Sequence, residues 1–246
     1  MSHHHIVFSP EGTPLSERTV GELVAERPGR SRIFQGHQID FCCQGGRTLQ
    51  EVCKRKGLSL EVILEQMEAE EKSSGASGVE EKNPALLPPD ALVEYIIHTH
   101  HDFLREELPR LYAMSSRVAQ VHGHHTPSVI QVFQVFDSLT REVDEHITKE
   151  EEVLFPAIVK LTDDGGEGTE AVESPMDEMM HEHESTGAML LQLRELTNGY
   201  QPPEQACNTW RALYAGLADL EENMHRHIHL ENSVLFPVAE ELAKKK

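Results

Sequence analysis

The chain has 246 residues, with 22 Lys and Arg against 42 Asp and Glu, which gives a formal charge of −20 at neutral pH. This charge repels nucleic acid and anionic membranes, so neither is expected as a partner. No apolar run approaches the roughly 20 residues that span a bilayer. The N-terminus lacks a basic start followed by an apolar core, so no signal peptide is expected, and a cytoplasmic location with reduced cysteines is predicted.

The first predicted unit is a small helical module over residues 15–72. Short apolar-periodic stretches alternate with glycine-bearing turns, and Ser59 ahead of Leu60 is typical of a helix N-cap. The next stretch, 73–88, is rich in Ser, Gly, Pro and charge, and it predicts a flexible linker. Residues 89–246 form the second predicted domain.

Four long helical patterns fill the second domain, at about 90–116, 128–160, 175–197 and 204–243. In the second and fourth predicted helices, apolar residues recur at steps of three and four, which is the spacing of a helix face (the seam) that points into a bundle. Pro109 is expected to bend the first helix, Ser174 and Pro175 to open the third, and Asn198-Gly199 to close it. No strand pattern occurs, so the predicted fold is all-α, with the small module followed by an up-down four-helix bundle.

Two stretches share the pattern H-I-x-x-E-x-x-V-L-F-P, one beginning at His146 and the other at His227. The glutamates of the pattern, Glu150 and Glu231, lie four residues after each histidine and therefore on the same helix face. Both fall where the seam calls for an apolar residue, and a buried carboxylate must be paired, protonated or bound to a metal. The third helix adds His183, and no Lys or Arg falls on the identified seam positions. The pattern therefore indicates a metal site.

Imidazole and carboxylate ligands without thiolate suit iron, manganese or zinc, and a duplicated His/Glu pair suits two ions with bridging glutamates. The first helix is ambiguous, because its apolar stripe places His100 near the centre and His101 at the edge. Periodicity alone selects His100. Most of the other histidines are expected on the surface, although one of them could hydrogen-bond to a ligand residue. They are His98, His122, His124, His125, His225 and His229.

Three signatures resemble the repair-of-iron-centres family, di-iron proteins implicated in restoring iron–sulfur clusters after nitrosative and oxidative stress. They are Asp40-Phe41-Cys42-Cys43-Gln44-Gly45-Gly46, the block from His146 to Pro156, and the block from His227 to Pro237. The resemblance covers nearly the entire chain, and its C-terminal part is similar to hemerythrin-like domains. Gln44 departs from the shorter Cys-Cys-Gly-Gly form of the family.

The resemblance implies a set of six metal ligands: His101, His146, Glu150, His183, His227 and Glu231. It thus selects His101 over His100 on the first helix. It also implies, less directly, that Glu182 and His122 lie near the site. Cys42 and Cys43 would have a redox or iron-handling role, against the simpler reading of two small buried hydrophobic residues.

The function implied by the resemblance is repair of damaged iron–sulfur clusters by a carboxylate-bridged centre of two non-haem iron ions. Iron donation, reduction of nitric oxide to nitrous oxide, or both would serve that function, so enzymatic activity stays open. The implied partners are damaged iron–sulfur proteins and small ligands such as NO or oxygen species, and a homodimer is left open. The alternative is a hemerythrin-like protein that binds or senses oxygen or NO without repair.

Overall fold

The computed structural model describes residues 12–76, 83–163 and 170–244. Over these residues the regular structure is helical, apart from one isolated antiparallel bridge between Thr19 and Thr48, and the predicted all-α class is confirmed. No helix in the described part of the chain is long and apolar enough to cross a membrane. The α-helices are α1 (Val20–Glu26), α2 (Arg30–Gly36), α3 (Leu49–Lys56), α4 (Leu60–Ala76), α5 (Pro89–Ile96), α6 (Asp102–His122), α7 (Ser128–Lys149), α8 (Phe155–Asp163), α9 (Glu170–Leu196), α10 (Asn208–Leu230) and α11 (Phe236–Lys244).

Within the described residues, three π-helical turns interrupt the long helices without breaking them. They are π1 (Ile97–His101), π2 (Glu150–Leu154) and π3 (Glu231–Leu235). In each, the following residue donates its backbone N–H to the carbonyl five residues earlier instead of four, as Phe155 does to Glu150 and Phe236 does to Glu231. A proline, which has no N–H, lies two residues after the end of both π2 and π3. Each π turn holds one extra residue and so shifts the helical register.

The chain divides into two compact units. The first takes its described residues from Met1–Val93, Ile158–Thr169 and Arg226–Lys246, and the second comprises Glu94–Ala157 and Glu170–His225. These limits differ from the predicted sequence boundaries, because the end of α10, π3 and α11 group with the N-terminal helices.

The second unit contains a four-helix bundle formed by α6, α7, α9 and α10. The α6 and α7 helices run antiparallel: His101 ahead of α6 meets Glu151 beyond α7, and Tyr112 packs on Phe133 at 5.5 Å between ring centroids. The α7 helix also packs against α9. The buried apolar residues of the bundle include Leu104, Leu111, Val132, Phe136, Leu139, Val143, Leu190, Leu193, Leu213 and Leu217. Full burial of each such side chain contributes about 1.5–3 kcal/mol to the hydrophobic driving force.

The ring of helices is closed through α10. Arg194 of α9 forms an ion pair with the buried Glu221 of α10. Gly216 of α10 faces Leu111 of α6, and a Cβ on the glycine would lie 2.5 Å from a Leu111 methyl carbon. The absence of a side chain at Gly216 therefore lets α10 approach α6 closely.

The first unit packs α1 to α4 with π3 and α11. Gly21 of α1 is required at this contact, because a Cβ there would lie 2.7 Å from Ser233 Oγ and 3.1 Å from the Gly45 carbonyl oxygen. The N-cap of α3 is a capping box in which Thr48 and Glu51 exchange side-chain and backbone hydrogen bonds. The buried apolar residues of this unit include Leu23, Phe34, Phe41, Leu49, Ile63, Met67, Leu235 and Phe236.

Two predicted segment boundaries need correction. The α9 helix begins at Glu170, so Pro175 lies inside the helix instead of opening it, and it lacks the N–H that would bond to the carbonyl four residues earlier. The predicted linker over 73–88 starts too early, because α4 continues to Ala76, and residues 77–82 lie outside the described part. Its last part is held in place, since the Asn83 amide donates to the Ala25 carbonyl oxygen at 2.8 Å.

The predicted end of the third helix is confirmed. Asn198 and Gly199 adopt positive φ angles of 52° and 69°, the left-handed conformation that terminates a helix. Pro109 lies inside α6, and a departure from α-helical geometry occurs ahead of it, at π1.

Candidate metal centre and cysteine loop

Glu150 lies among the imidazoles of the second unit. Its Oε1 is 3.4 Å from His146 Nε2, and its Oε2 is 3.3 Å from His101 Nε2. His183 points its Nε2 at His146 Nε2 across 3.1 Å. All four side chains are buried, Glu150 and His101 completely. Two imidazole nitrogens that face each other beside a buried carboxylate form a donor set suited to a cation.

The second copy of the repeat places its pair in the same way. His227 Nε2 lies 2.8 Å from Glu231 Oε1, and both residues are completely buried. The two glutamates begin π2 and π3, at equivalent positions of the repeat. The repeat in sequence is therefore also a repeat in local structure.

The six residues form two overlapping groups in which the potential ligand atoms lie within 4.8 Å of one another. The groups are His101, Glu150, His227 and Glu231, and His146, Glu150, His183 and Glu231. Both groups contain both glutamates. Two fully buried carboxylates carry a large desolvation penalty that a bound cation would offset. The buried His/Glu cluster therefore fits a metal site.

Glu151 orients His101. Its Oε1 lies 2.7 Å from His101 Nδ1, and Arg105 Nη2 donates to both carboxylate oxygens at 2.8 Å. Although burial raises it, the hydrogen bonds from Arg105 and His101 hold the pKa of Glu151 below its usual value. The carboxylate is therefore ionised and accepts the Nδ1 proton, so that the Nε2 lone pair of His101 faces Glu150.

Glu182 makes the equivalent contact with His146. Its Oε2 lies 2.8 Å from His146 Nδ1, and Lys149 Nζ donates to its other oxygen. The hydrogen bond from His146, together with Lys149, lowers the pKa of Glu182 to about 2. The sequence expectation that Glu182 lies near the ligands agrees with this contact.

The π1 turn accounts for the ambiguity between the two adjacent histidines of the first helix. His101 joins the cluster, whereas the buried His100 places its Nδ1 3.1 Å from Asn223 Oδ1. A π turn advances the chain by one residue relative to an α-helix, so an ideal helical wheel selects the neighbour of the residue that reaches the site.

The paired cysteines lie in a loop of the first unit. Cys42 Sγ and Cys43 Sγ are 3.6 Å apart, and the Cys42 thiol lies 3.3 Å from Asp40 Oδ1. Asp40 Oδ1 also accepts hydrogen bonds from the backbone amides of Cys42, Cys43 and Gln44. The side chains of Asp40, Cys42 and Cys43 form a further group of potential metal ligands, with ligand atoms within 4.8 Å of one another.

Two residues beside the ligands of α10 and π3 hold the cysteine loop. Asn232 Nδ2 donates to the Cys42 carbonyl oxygen at 3.1 Å, and His229 Nδ1 donates to the Phe41 carbonyl oxygen at 3.4 Å. Burial lowers the pKa of His229 to about 4, so its ring is neutral. His229 is an exception among the histidines that were mostly expected on the surface, because it is buried against Phe41.

His122 does not lie near the cluster, contrary to the expectation from the resemblance. It ends α6, which His101 precedes, and a helix of this length spans about 30 Å. There His122 Nε2 lies 3.4 Å from Cys207 Sγ, and its ring packs on Trp210. Its role is local to that end of the bundle.

Sequence reasoning missed Glu151, Arg105, Asn232 and His229 as neighbours of the two sites. Glu151 follows a ligand directly, and adjacent residues of a regular α-helix point in different directions. Asn232 likewise follows Glu231. The signal that the sequence carries for them is weak: a polar residue directly follows each repeated glutamate.

Comparison with known proteins agrees with this geometry. Residues 92–239 match the hemerythrin HHE cation binding domain, and residues 16–71 match ScdA_N, a domain of unknown function (DUF542). The iron-sulfur cluster repair protein YtfE of Edwardsiella ictaluri is 39% identical over 223 residues, which cover 91% of this chain and 96% of the relative. The iron-sulfur cluster repair protein ScdA of Staphylococcus haemolyticus is 35% identical, over 90% of this chain and 97% of its own.

A third relative, the iron-sulfur cluster repair protein YtfE of Musicola paradisiaca, is 36% identical over 91% of this chain and 96% of its own. The resemblance first seen in the repeated blocks and in the paired-cysteine motif is thereby confirmed over almost the full length. The chain belongs to the family of iron–sulfur cluster repair proteins that includes YtfE and ScdA.

Proposed function

We propose that this protein repairs iron–sulfur clusters damaged by nitrosative or oxidative stress, with two iron ions held at the His/Glu cluster. The names of its relatives support the repair role. The observation that carries the two-ion assignment is the presence of Glu150 and Glu231 in both overlapping ligand groups. Two carboxylates shared by two ligand sets are the arrangement expected of bridges.

Each ion would take the Nε2 atoms of two histidines and one oxygen from each glutamate. His101 and His227 would hold one ion, and His146 and His183 the other. When bound, the iron pair would supply a redox-active centre, and Glu150 and Glu231 would contribute to both ligand groups. Such imidazole and carboxylate donors suit iron.

The remaining residues of the site keep the ligands ready. Glu151 and Glu182 accept the Nδ1 protons of His101 and His146, which fixes the tautomer that presents Nε2 to an ion. Arg105 pairs with the Glu151 carboxylate on the outer side of the cluster. The ligands are therefore oriented before an ion binds, so that less conformational entropy is lost on binding.

The proposal extends to the organisation and setting of the protein. The helical module over 15–72 would carry the thiols, and residues 89–246 the iron centre. Its partners would be iron–sulfur proteins in the cytoplasm whose clusters have lost iron. The net charge of −20 favours partners other than nucleic acid.

An iron-transfer experiment tests the proposal. The protein would be loaded anaerobically with an iron isotope that Mössbauer spectroscopy detects, then mixed with an unlabelled [4Fe–4S] enzyme damaged by NO. We expect about two iron ions per chain, recovery of the enzyme, and label in the rebuilt cluster. Glu231→Ala should lose both iron and repair, whereas Glu152→Ala, an exposed glutamate beside Glu150, should keep them.

The outcomes separate the candidate functions. If the damaged enzyme recovers but its cluster contains no iron isotope, the protein does not donate iron. It would then act catalytically, for example by removing NO. A protein that holds two ions but restores no enzyme would contradict repair and favour the hemerythrin-like binding function. Fewer than about one ion per chain after loading in excess iron would contradict the two-ion centre.

A further inference from the structure

We propose that Asp40, Cys42 and Cys43 form a second metal site, which takes a single thiophilic divalent cation such as ferrous or zinc ion. The site is composed of different residues from the His/Glu cluster, and it does not depend on the proposed repair function. Its ligand atoms already lie within 4.8 Å of one another. No residue of this group belongs to the repeated His/Glu pattern.

The distances within the group match a tetrahedral ion. Metal–sulfur bonds of about 2.3 Å at a tetrahedral angle place two sulfurs about 3.8 Å apart, and the two thiols are 3.6 Å apart. A metal–oxygen bond of about 2.1 Å would place oxygen about 3.6 Å from sulfur, and Asp40 Oδ1 lies 3.3 Å from Cys42 Sγ. A disulfide would instead require about 2.05 Å between the sulfurs. The loop therefore has the dimensions of a chelate.

Asp40 is held in its ligating position by the backbone. Its Oδ1 accepts the amides of Cys42 at 3.1 Å, Cys43 at 2.9 Å and Gln44 at 3.3 Å. All three amides contact Oδ1, so the capacity for an ion lies mainly in the lone pairs of the second carboxylate oxygen, Oδ2. The same amides that fix Asp40 fix the two cysteines beside it.

The loop is also anchored from outside. The Cys42 carbonyl accepts the Asn232 amide, and the Phe41 carbonyl accepts the His229 ring. Gly45 closes the turn at a position where a Cβ would lie 2.6 Å from the Phe41 carbonyl oxygen. A loop held at both carbonyls has little conformational entropy left to lose when it binds an ion.

Binding would exchange protons for the ion. Cys43 and Cys42 each lose the proton of their thiol to solvent, and two metal–sulfur bonds form, so a divalent cation replaces two protons with no redox change. The hydrogen bond with Cys43, burial and the nearby Asp40 carboxylate all raise the pKa of the Cys42 thiol. A cation offsets the charge that otherwise opposes the thiolate.

The ion would be exchangeable. Three protein ligands leave one tetrahedral position open, as in sites that exchange ligands and unlike closed structural sites. Asp40 and Cys43 are half-buried, whereas Cys42 is only 4% exposed, so the ion would enter beside the first two. These features suit transient binding of an ion over permanent structural binding.

Cobalt(II) tests the site, because thiolate ligation of cobalt gives a sulfur-to-metal charge-transfer absorption in the near ultraviolet. The full-length protein, iron-loaded under anaerobic conditions, would be titrated with cobalt(II). We expect about one cobalt per chain with this absorption. Cys43→Ser should abolish the absorption, and Asp40→Asn should weaken binding at least about tenfold. Cys207→Ser, which removes an exposed cysteine outside the group, should behave as the wild type.

Several results would overturn the proposal. They are the absence of the charge-transfer absorption in the wild type, its persistence in Cys43→Ser, or unchanged cobalt affinity in Asp40→Asn. Iron content of each variant, measured in parallel, shows whether the His/Glu cluster is intact. Loss of the absorption together with unchanged iron content would assign the effect to the loop.

Discussion

His101 and Glu151 are joined by a 2.7 Å contact from Nδ1 to Oε1, in which a residue of the second helix pattern orients a ligand of the first. Arg105 completes the arrangement by donating to both carboxylate oxygens. His146 has a matching partner in Glu182. The two contacts give the cluster a common design, in which an ionised glutamate behind each imidazole fixes its tautomer.

Removal of the Glu151 charge should weaken metal binding. In Glu151→Gln the amide no longer accepts the Nδ1 proton as a carboxylate does, and we expect metal affinity to fall by about 10- to 100-fold. Iron retained after dialysis against a graded series of chelator concentrations measures the effect. Glu152→Gln changes the neighbouring exposed glutamate and should retain iron as the wild type does. Equal retention in both variants would contradict the orienting role.

The two adjacent histidines of π1 should behave differently. His101→Ala removes an Nε2 from the cluster, and we expect loss of metal at a normal fold. His100→Ala takes no residue from the ligand groups; loss of its contact with Asn223 costs about 1 kcal/mol of folding stability, and the metal should be spared. Iron analysis and thermal unfolding of both variants provide the measurements. Metal loss in His100→Ala alone would reverse the assignment.

The glycine pair after the cysteines offers a matched test of loop packing. In Gly45→Ala the new Cβ would lie 2.6 Å from a backbone oxygen, and we expect the free energy of unfolding to fall by about 1–3 kcal/mol. Gly46→Ala meets no atom within 4 Å and should change it little. Chemical denaturation of both variants measures the difference. Comparable stabilities would show that the loop can move aside without cost.

Loss of the Asn232 amide should loosen the cysteine loop. In Asn232→Asp the donor to the Cys42 carbonyl is removed, and the new charge faces that oxygen. We expect faster hydrogen exchange of the backbone amides over 41–46 and about tenfold weaker cobalt(II) binding by the thiols. Iron content should stay near that of the wild type if Glu231 keeps its position. Unchanged exchange would show that other contacts suffice to hold the loop.

Much of the fold and the site could be predicted from the sequence. The repeat of His146/Glu150 and His227/Glu231 follows from spacing alone, because residues four apart share a helix face. The long apolar seams predict a bundle, because apolar residues at steps of three and four form a stripe on one helix face that must be buried against other helices. Resemblance added His101, and the structure groups it with the others.

What the tertiary structure decided lies mainly at the π turns and between separate segments of chain. The extra residue in π1 changes which histidine faces the cluster relative to a regular α-helix. Helical periodicity does not predict this change, so the sequence by itself pointed to His100. The contacts of Glu151 with His101, and of Asn232 with the Cys42 carbonyl, join residues 50 and 190 positions apart. Spacing along one helix determines which residues share a face, but only packing determines what that face meets.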